Sequence, residues 1–336
     1  MARRRLRAQV QPEKAGPAPQ GAPSDECGFA ASTDLERAGG SGGPSGPPRS
    51  DGPRIRPASC AGSVYPAGAA ELRRALDGWL WLPEPAAHPP RSPTRLLVAP
   101  HIDYPRGARG WAAAYGALHT DADLFVVLGT AHASPPRLFA LTRRDHATPL
   151  GTVPTDRPAL EALVAEVGEE ELLADEAAHD DEHSIELQLV VLRHVVSRPF
   201  TVLPVLCSAI SHLRDPAPFT ARFLGALGRA LAGRRVCFVA SADLAHVGPG
   251  YGDPRPPTAI EATRLEARDR ETLAFVAAGD AAGFHRDALR DDARRRLCGL
   301  APIYAALRAS GVGAQLLHYE RWTDGVDSVS FAAAAG

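Results

Sequence analysis

The 336-residue chain has no apolar run approaching the roughly 18–20 residues of a membrane span. It also has no surplus of basic charge, since 37 Lys and Arg stand against 39 Asp and Glu, a formal net charge of −2. A general nucleic-acid binder needs spare cations to neutralise phosphates, so that class is disfavoured. Cysteine is scarce: five residues, at 27, 60, 207, 237 and 298, with no tight spacing. An odd, scattered set reads as reduced thiols in a cytoplasmic protein rather than as a disulfide framework. The Arg-rich start MARRRLR has no apolar segment behind it, so no secretory signal is expected. No internal repeat is visible.

Hydrophobic residues make up 45% of the chain, ample for a core. They are unevenly spread. Residues 1–55 are rich in Pro, Gly, Ser and Ala and show neither helical nor strand periodicity. Such a segment buries too little apolar surface to offset its ordering entropy and is expected to be a disordered tail. The folded domain is expected over 56–336. It begins with a helical pattern at 67–81 and a Pro-rich break. Buried strands RLLVAP and DLFVVLG follow, then an edge or hairpin strand RLFALT. Further on, FTVLPVLC, RVCFVAS, AQLLHYE and SVSFAAAA read as strands, with helices near 108–119, 158–167, 184–196, 216–232, 258–278 and 302–310. Alternating strands and helices predict an α/β sandwich with a mainly parallel sheet flanked by helices.

Polar, metal-competent residues gather just past the strands or at helix starts, where an open α/β sheet places its active-site crevice. APHIDY holds His101, followed by Asp103, Tyr104 and Arg106 on a loop with Pro105 and Gly107. LGTAH holds His132, with Gly129 expected to allow a tight turn. Either histidine alone reads as structural as readily as functional; two placed alike on separate strands converge if the strands are neighbours. DEAAHDDEHSIELQL holds His183 as an acid/base or ligand candidate, or as part of a solvated acidic helix cap. Within it, HDDEH matches H-x-x-E-H of inverted zinc peptidases, with His179 and His183 as ligands, Glu182 as general base and Glu261 or Glu266 as third ligand. SADLAH offers Asp243 to orient an imidazole and His246 beside it, unless Ser241 and Asp243 merely cap a turn. Cys298 lies between an arginine cluster and a helix start, a setting expected to favour thiolate, although buried Cys is usually inert.

These segments, in this order, resemble the Memo family, whose bacterial members are called AmmeMemoRadiSam system protein B. The likeness starts at AGSVYPAGAAELRRALDGWL. It continues through APHIDY, LGTAH, TPLGTVPTD, DEHSIELQL, SADLAH and LCGLAPI, covering roughly Arg56 to the C-terminus. It implies a fold related to class III extradiol dioxygenases and a non-haem metal site on His101, His132 and Cys298. Iron(II) is the first expectation, copper the second and zinc the third. The same likeness gives His183 the acid/base position and puts Asp243 in the pocket, with His246 read beside it. It further implies an AMME-domain protein and a radical SAM enzyme as partners; neither nucleic acid nor membrane is expected, on the charge and hydropathy given above. Two departures stand out. The family's A-G-Y is Ile102-Asp103-Tyr104, expected to change the pocket's charge, and its S-H-H is Ala131-His132-Ala133.

Overall fold

A computed structural model describes residues 55–80, 92–291 and 294–336. The expected N-terminal tail, Ile55 apart, and most of the Pro-rich break lie outside the described residues. Four parallel strands form the centre of the main sheet, in the spatial order β6 (Thr201–Cys207), β3 (Leu124–Thr130), β7 (Val236–Ser241) and β2 (Leu96–Ala99). At one edge β4 (Phe139–Leu141) runs antiparallel to β6. At the other, β10 (Ser328–Ala335) runs antiparallel to β2 and also pairs with β8 (Asp243–Val247) and β9 (Gln315–Thr323). A short parallel pair, β1 (Ile55–Arg56) with β5 (Asp145–His146), stands apart.

The central strands form because both their faces are covered. Every residue of LFVVLGT in β3 is buried. Leu124, Val126 and Leu128 point into one core and Phe125 and Val127 into the other, as the two-residue strand period requires. One face carries α1 (Ala69–Leu80), α2 (Tyr104–Gly116) and α5 (His183–Val195). The opposite face carries α3 (Arg157–Val167), α4 (Glu169–Leu173), α6 (Ala217–Ala230), α7 (Ala259–Ala278), α8 (Ala281–Ala288) and α9 (Leu300–Ser310). The α/β sandwich is thus observed, with a mixed sheet whose parallel centre has antiparallel edges.

Three local readings change. Helix α2 begins at Tyr104, because the Asp103 side chain caps it and Pro105 fits its first turn, so the expected loop is helix. Asp243 and His246 lie on strand β8, which pairs with β10, instead of on a turn. Gly129 makes no turn either: it lies inside β3, and a Cβ there would sit 2.6 Å from Ser184 Oγ and Ile185 Cγ1. Its role is to let the start of α5 pack directly on the strand.

Candidate metal centre

His101 and His132 each stand two residues past the carboxyl end of a central strand, and His183 opens α5. One ring nitrogen from each lies within 4.8 Å of the other two. The rings of His132 and His183 stack at 4.7 Å and 14°, and His101 meets them edge-on at 5.2 and 5.4 Å. A cation bonded at about 2.0–2.3 Å needs donors roughly 3–4 Å apart, so small ring movements would bring this group to a metal. Cys298 Sγ lies 3.2 Å from His101 Nε2, a soft donor beside one member of this group though outside the group itself.

The surrounding backbone is tied together by buried polar groups. Glu182 caps α5 through Ser184 N (2.9 Å) and accepts from both His132 N (2.8 Å) and, at 3.0 Å, His132 Nδ1. Asp243 Oδ1 accepts from His101 N at 3.0 Å. Ser184 Oγ donates to Thr130 O, and Thr130 Oγ1 donates to Cys298 O. Gly299 N bonds to Asp243 O at 3.0 Å, and a Cβ on Gly299 would meet that oxygen and Ala242 Cβ at 2.5 Å. Cys298 is therefore held against the β7–β8 link by the absence of a side chain on its neighbour. Glu182 as partner of His132 was not recognised from sequence; its place directly before His183, at a helix start, was the available signal.

Burial dominates the electrostatics. It lowers the pKa of His101 well below the usual histidine value, helped by the neighbouring His132 and His183. It lowers His183 to about 4 and His246 to about 4. For His132 burial acts the same way, but the Glu182 hydrogen bond and charge outweigh it and the pKa rises. Burial likewise opposes ionisation of Glu182, yet its contacts with His132 hold the carboxyl well below the usual range. Asp243 is pushed up to about 7 by burial, against backbone N–H donors from His101 and Ile102. Two of the three imidazoles are thus neutral near pH 7 and offer lone pairs, as metal binding requires.

Other candidates fare differently. The expectation that Cys298 is thiolate-prone is overturned: burial raises its thiol well above the usual value, with Asp243 adding to the effect. The arginines beside it are committed elsewhere, Arg295 to Asp269 and Arg296 to Asp253. His246 packs edge-on against Tyr251 at 5.0 Å with Nδ1 on Leu244 O, outside the three-imidazole group. The peptidase pattern is not assembled. His179 ends a separate 3-10 turn, bonds Ala140 O and faces His146, while Glu261 and Glu266 pair with Arg255 and Arg270. Asp103 caps α2 and pairs with Arg106, so its charge is locally balanced and does not stand alone in the pocket.

A cavity of about 390 Å³ opens beside His132 and Cys298. Ile210, Leu289, Leu297 and Leu300 make its wall apolar, while Ser134 and Arg296 add polar groups. Those last two are the non-glycine residues with positive φ among the described residues, at 46° and 48°. Such backbone strain, of order 1–3 kcal/mol each, concentrates where structure is held for function. Among the described residues no helix is long and apolar enough to cross a membrane, and Cys207, Cys237 and Cys298 are free thiols.

Comparison with known proteins completes the description. The profile of the Memo-like protein family matches residues 56–335. A MEMO1 family protein of Methanopyrus kandleri is 31% identical over 284 residues, covering 79% of this chain and 91% of its own. One from Methanosarcina barkeri is 28% identical over 226 residues, covering 66% and 77%. The memo-1 homologue of Caenorhabditis elegans is 28% identical over 266 residues, covering 77% and 72%.

Proposed function

Because this chain belongs to the Memo-like protein family, we propose that it is a metal-dependent, dioxygenase-like oxidoreductase with its metal on His101, His132 and Cys298. The observation that supports this reading is that His101 and His132 offer ring nitrogens within 4.8 Å of each other, with the Cys298 sulfur 3.2 Å from His101 Nε2; His183 completes the same group and takes the proton-accepting role beside it. Imidazole and thiolate together suit a soft transition metal, iron(II) first, then copper, with zinc less favoured. A bound metal would supply Lewis acidity and electron transfer at the cavity mouth.

The protein's own groups divide the remaining work. His183, neutral and beside His132, accepts a proton from an acidic group of the substrate. Asp243 fixes the His101 backbone through Oδ1, and its other oxygen stands 3.7 Å from His101 Nε2, a charge beside the ligand without a hydrogen bond to it. His246, on the same strand as Asp243, packs against Tyr251 and is the neighbouring outer imidazole of the site. The apolar cavity wall excludes water and takes the body of the substrate. Five scattered cysteines with no tight spacing suit a reducing cytoplasmic setting.

Oxygen uptake by iron- or copper-loaded protein, with catechol-like and thiol compounds, tests this reading. Uptake that His183→Gln abolishes while metal stays bound supports it. No uptake in any combination favours a second reading, a binding or accessory protein acting with AMME-domain and radical SAM partners. The loss of a neighbouring imidazole around His132, flanked here by Ala131 and Ala133, favours that alternative.

A further inference from the structure

Beneath the three imidazoles runs a buried chain of hydrogen bonds whose directions are forced by groups that can act in only one way. It starts at Gln188, fully buried in α5. One terminal atom of its amide lies 2.7 Å from Pro100 O, which can only accept, so that atom is the nitrogen Nε2. The other is therefore Oε1, and Tyr115 OH donates to it at 2.7 Å. The second hydrogen of Nε2 goes to Ser241 Oγ at 2.9 Å. Ser241 has one hydrogen, and Oγ lies 2.6 Å from Ser184 O, another obligate acceptor. That hydrogen is spent there.

Ser241 Oγ can then only accept from its remaining neighbour, His101 Nδ1, at 3.4 Å. A lone pair on Nδ1 would face a lone pair on Oγ. We infer that Ser241 and Gln188 are positioning residues that hold His101 as the Nδ1–H tautomer, with the Nε2 lone pair aimed at Cys298 and the metal position. The contacts on the other side are compatible, because Cys298 Sγ, 3.2 Å from Nε2 and 3.7 Å from Asp243 O, can donate its one hydrogen to Nε2. The same two side chains bind Pro100 O, directly before His101, to Ser184 O, directly after His183. They therefore set the spacing of two of the imidazoles as well as the tautomer of one. Gln188 and Ser241 sit on different elements, α5 and β7, which is why no local motif announces them.

The metal consequence rests on the metal-centre reading above, but the tautomer does not. Long-range nitrogen–proton NMR of the metal-free, nitrogen-labelled full chain reads it directly, with His101 signals assigned by their loss in His101→Asn. The expected result is a protonated, pyrrole-type Nδ1 and a pyridine-type Nε2. In Ser241→Ala the two tautomers should mix, and affinity for Co(II), used as the probe, should fall about 10–100-fold, the usual cost of losing an outer partner of a metal-binding histidine. A proton on Nε2 in the unaltered protein overturns the inference, and this holds even if Ser241→Ala fails to fold. An unchanged tautomer in folded Ser241→Ala overturns it too. Should Co(II) not bind to the unaltered protein while the NMR result stands, the metal reading fails and the tautomer assignment survives.

Discussion

Glu182 takes both the backbone N–H and the ring Nδ1 of His132, at 2.8 and 3.0 Å, while capping the helix that begins with His183. One carboxylate therefore orients two of the three imidazoles. Replacing Glu182 by Gln keeps an acceptor but removes the charge. Metal affinity, measured by competition with a chromogenic chelator, is expected to fall about 10–100-fold. Unchanged affinity in a folded variant would remove Glu182 from the site.

Glycine at 299 is a steric requirement. Its missing Cβ leaves room for Ala242 and Asp243 O, which sit on the β7–β8 link and cannot swing aside. Gly299→Ala is expected to cost about 1–3 kcal/mol in denaturant unfolding, as overpacking does. Gly228→Ala, inside α6 with nothing within 4 Å of the added methyl, should instead stabilise by about 0.5–1 kcal/mol. Equal effects of the two would contradict the packing described at Cys298.

The buried pair Arg56–Glu186 makes the acid side of the stability curve predictable. Burial alone would raise the Glu186 pKa, but Arg56, Tyr65 OH and Cys60 N together lower it. A carboxyl depressed in the folded state adds stability above its unfolded pKa of about 4.3 and loses it as pH falls through the folded value. Arg56→Met should cost about 3–5 kcal/mol at pH 7 by leaving a buried charge unpaired. Its unfolding free energy should also fall less steeply than that of the unaltered protein below pH 4.5 or so. Parallel curves would show that the pair does not set the acid limb.

Cys298 is half-buried at the cavity wall, and desolvation with the nearby Asp243 keeps its thiol protonated, which predicts slow chemistry. In metal-free protein at pH 8, iodoacetamide should modify Cys298 about tenfold or more slowly than a cysteine in a short peptide, followed by mass spectrometry. Modification at the peptide rate would restore the thiolate-prone reading.

That reversal illustrates where local sequence reasoning stops. Arginines and a helix start beside Cys298 are visible in RRRLCGLAPIY, but the commitment of Arg295 to Asp269 and Arg296 to Asp253 depends on partners 26 and 43 residues away. The central strands were legible because burial on both faces writes itself as an unbroken apolar run, as in LFVVLG. DLAHV was not, since Asp243 and His246 break the strand pattern and only pairing with β10 makes it one. His101, His132 and His183 were found because each follows or opens an element. The HDDEH string misled for the same reason in reverse. The chain turns between His179 and His183, so four-residue spacing does not place them on one helical face.

The central claim is a metal held between His101, His132 and Cys298. Elemental analysis of protein purified without oxygen, beside His101→Ala, His132→Ala and Cys298→Ser, tests it most directly, with His183→Gln as the comparison. The account predicts near-stoichiometric iron or copper in the unaltered protein and in His183→Gln, and its loss from the other three. Metal kept by Cys298→Ser but lost from His183→Gln would move the third ligand to His183. No metal in the unaltered protein, and no uptake of added Fe(II), Cu(I) or Zn(II), would contradict the claim outright.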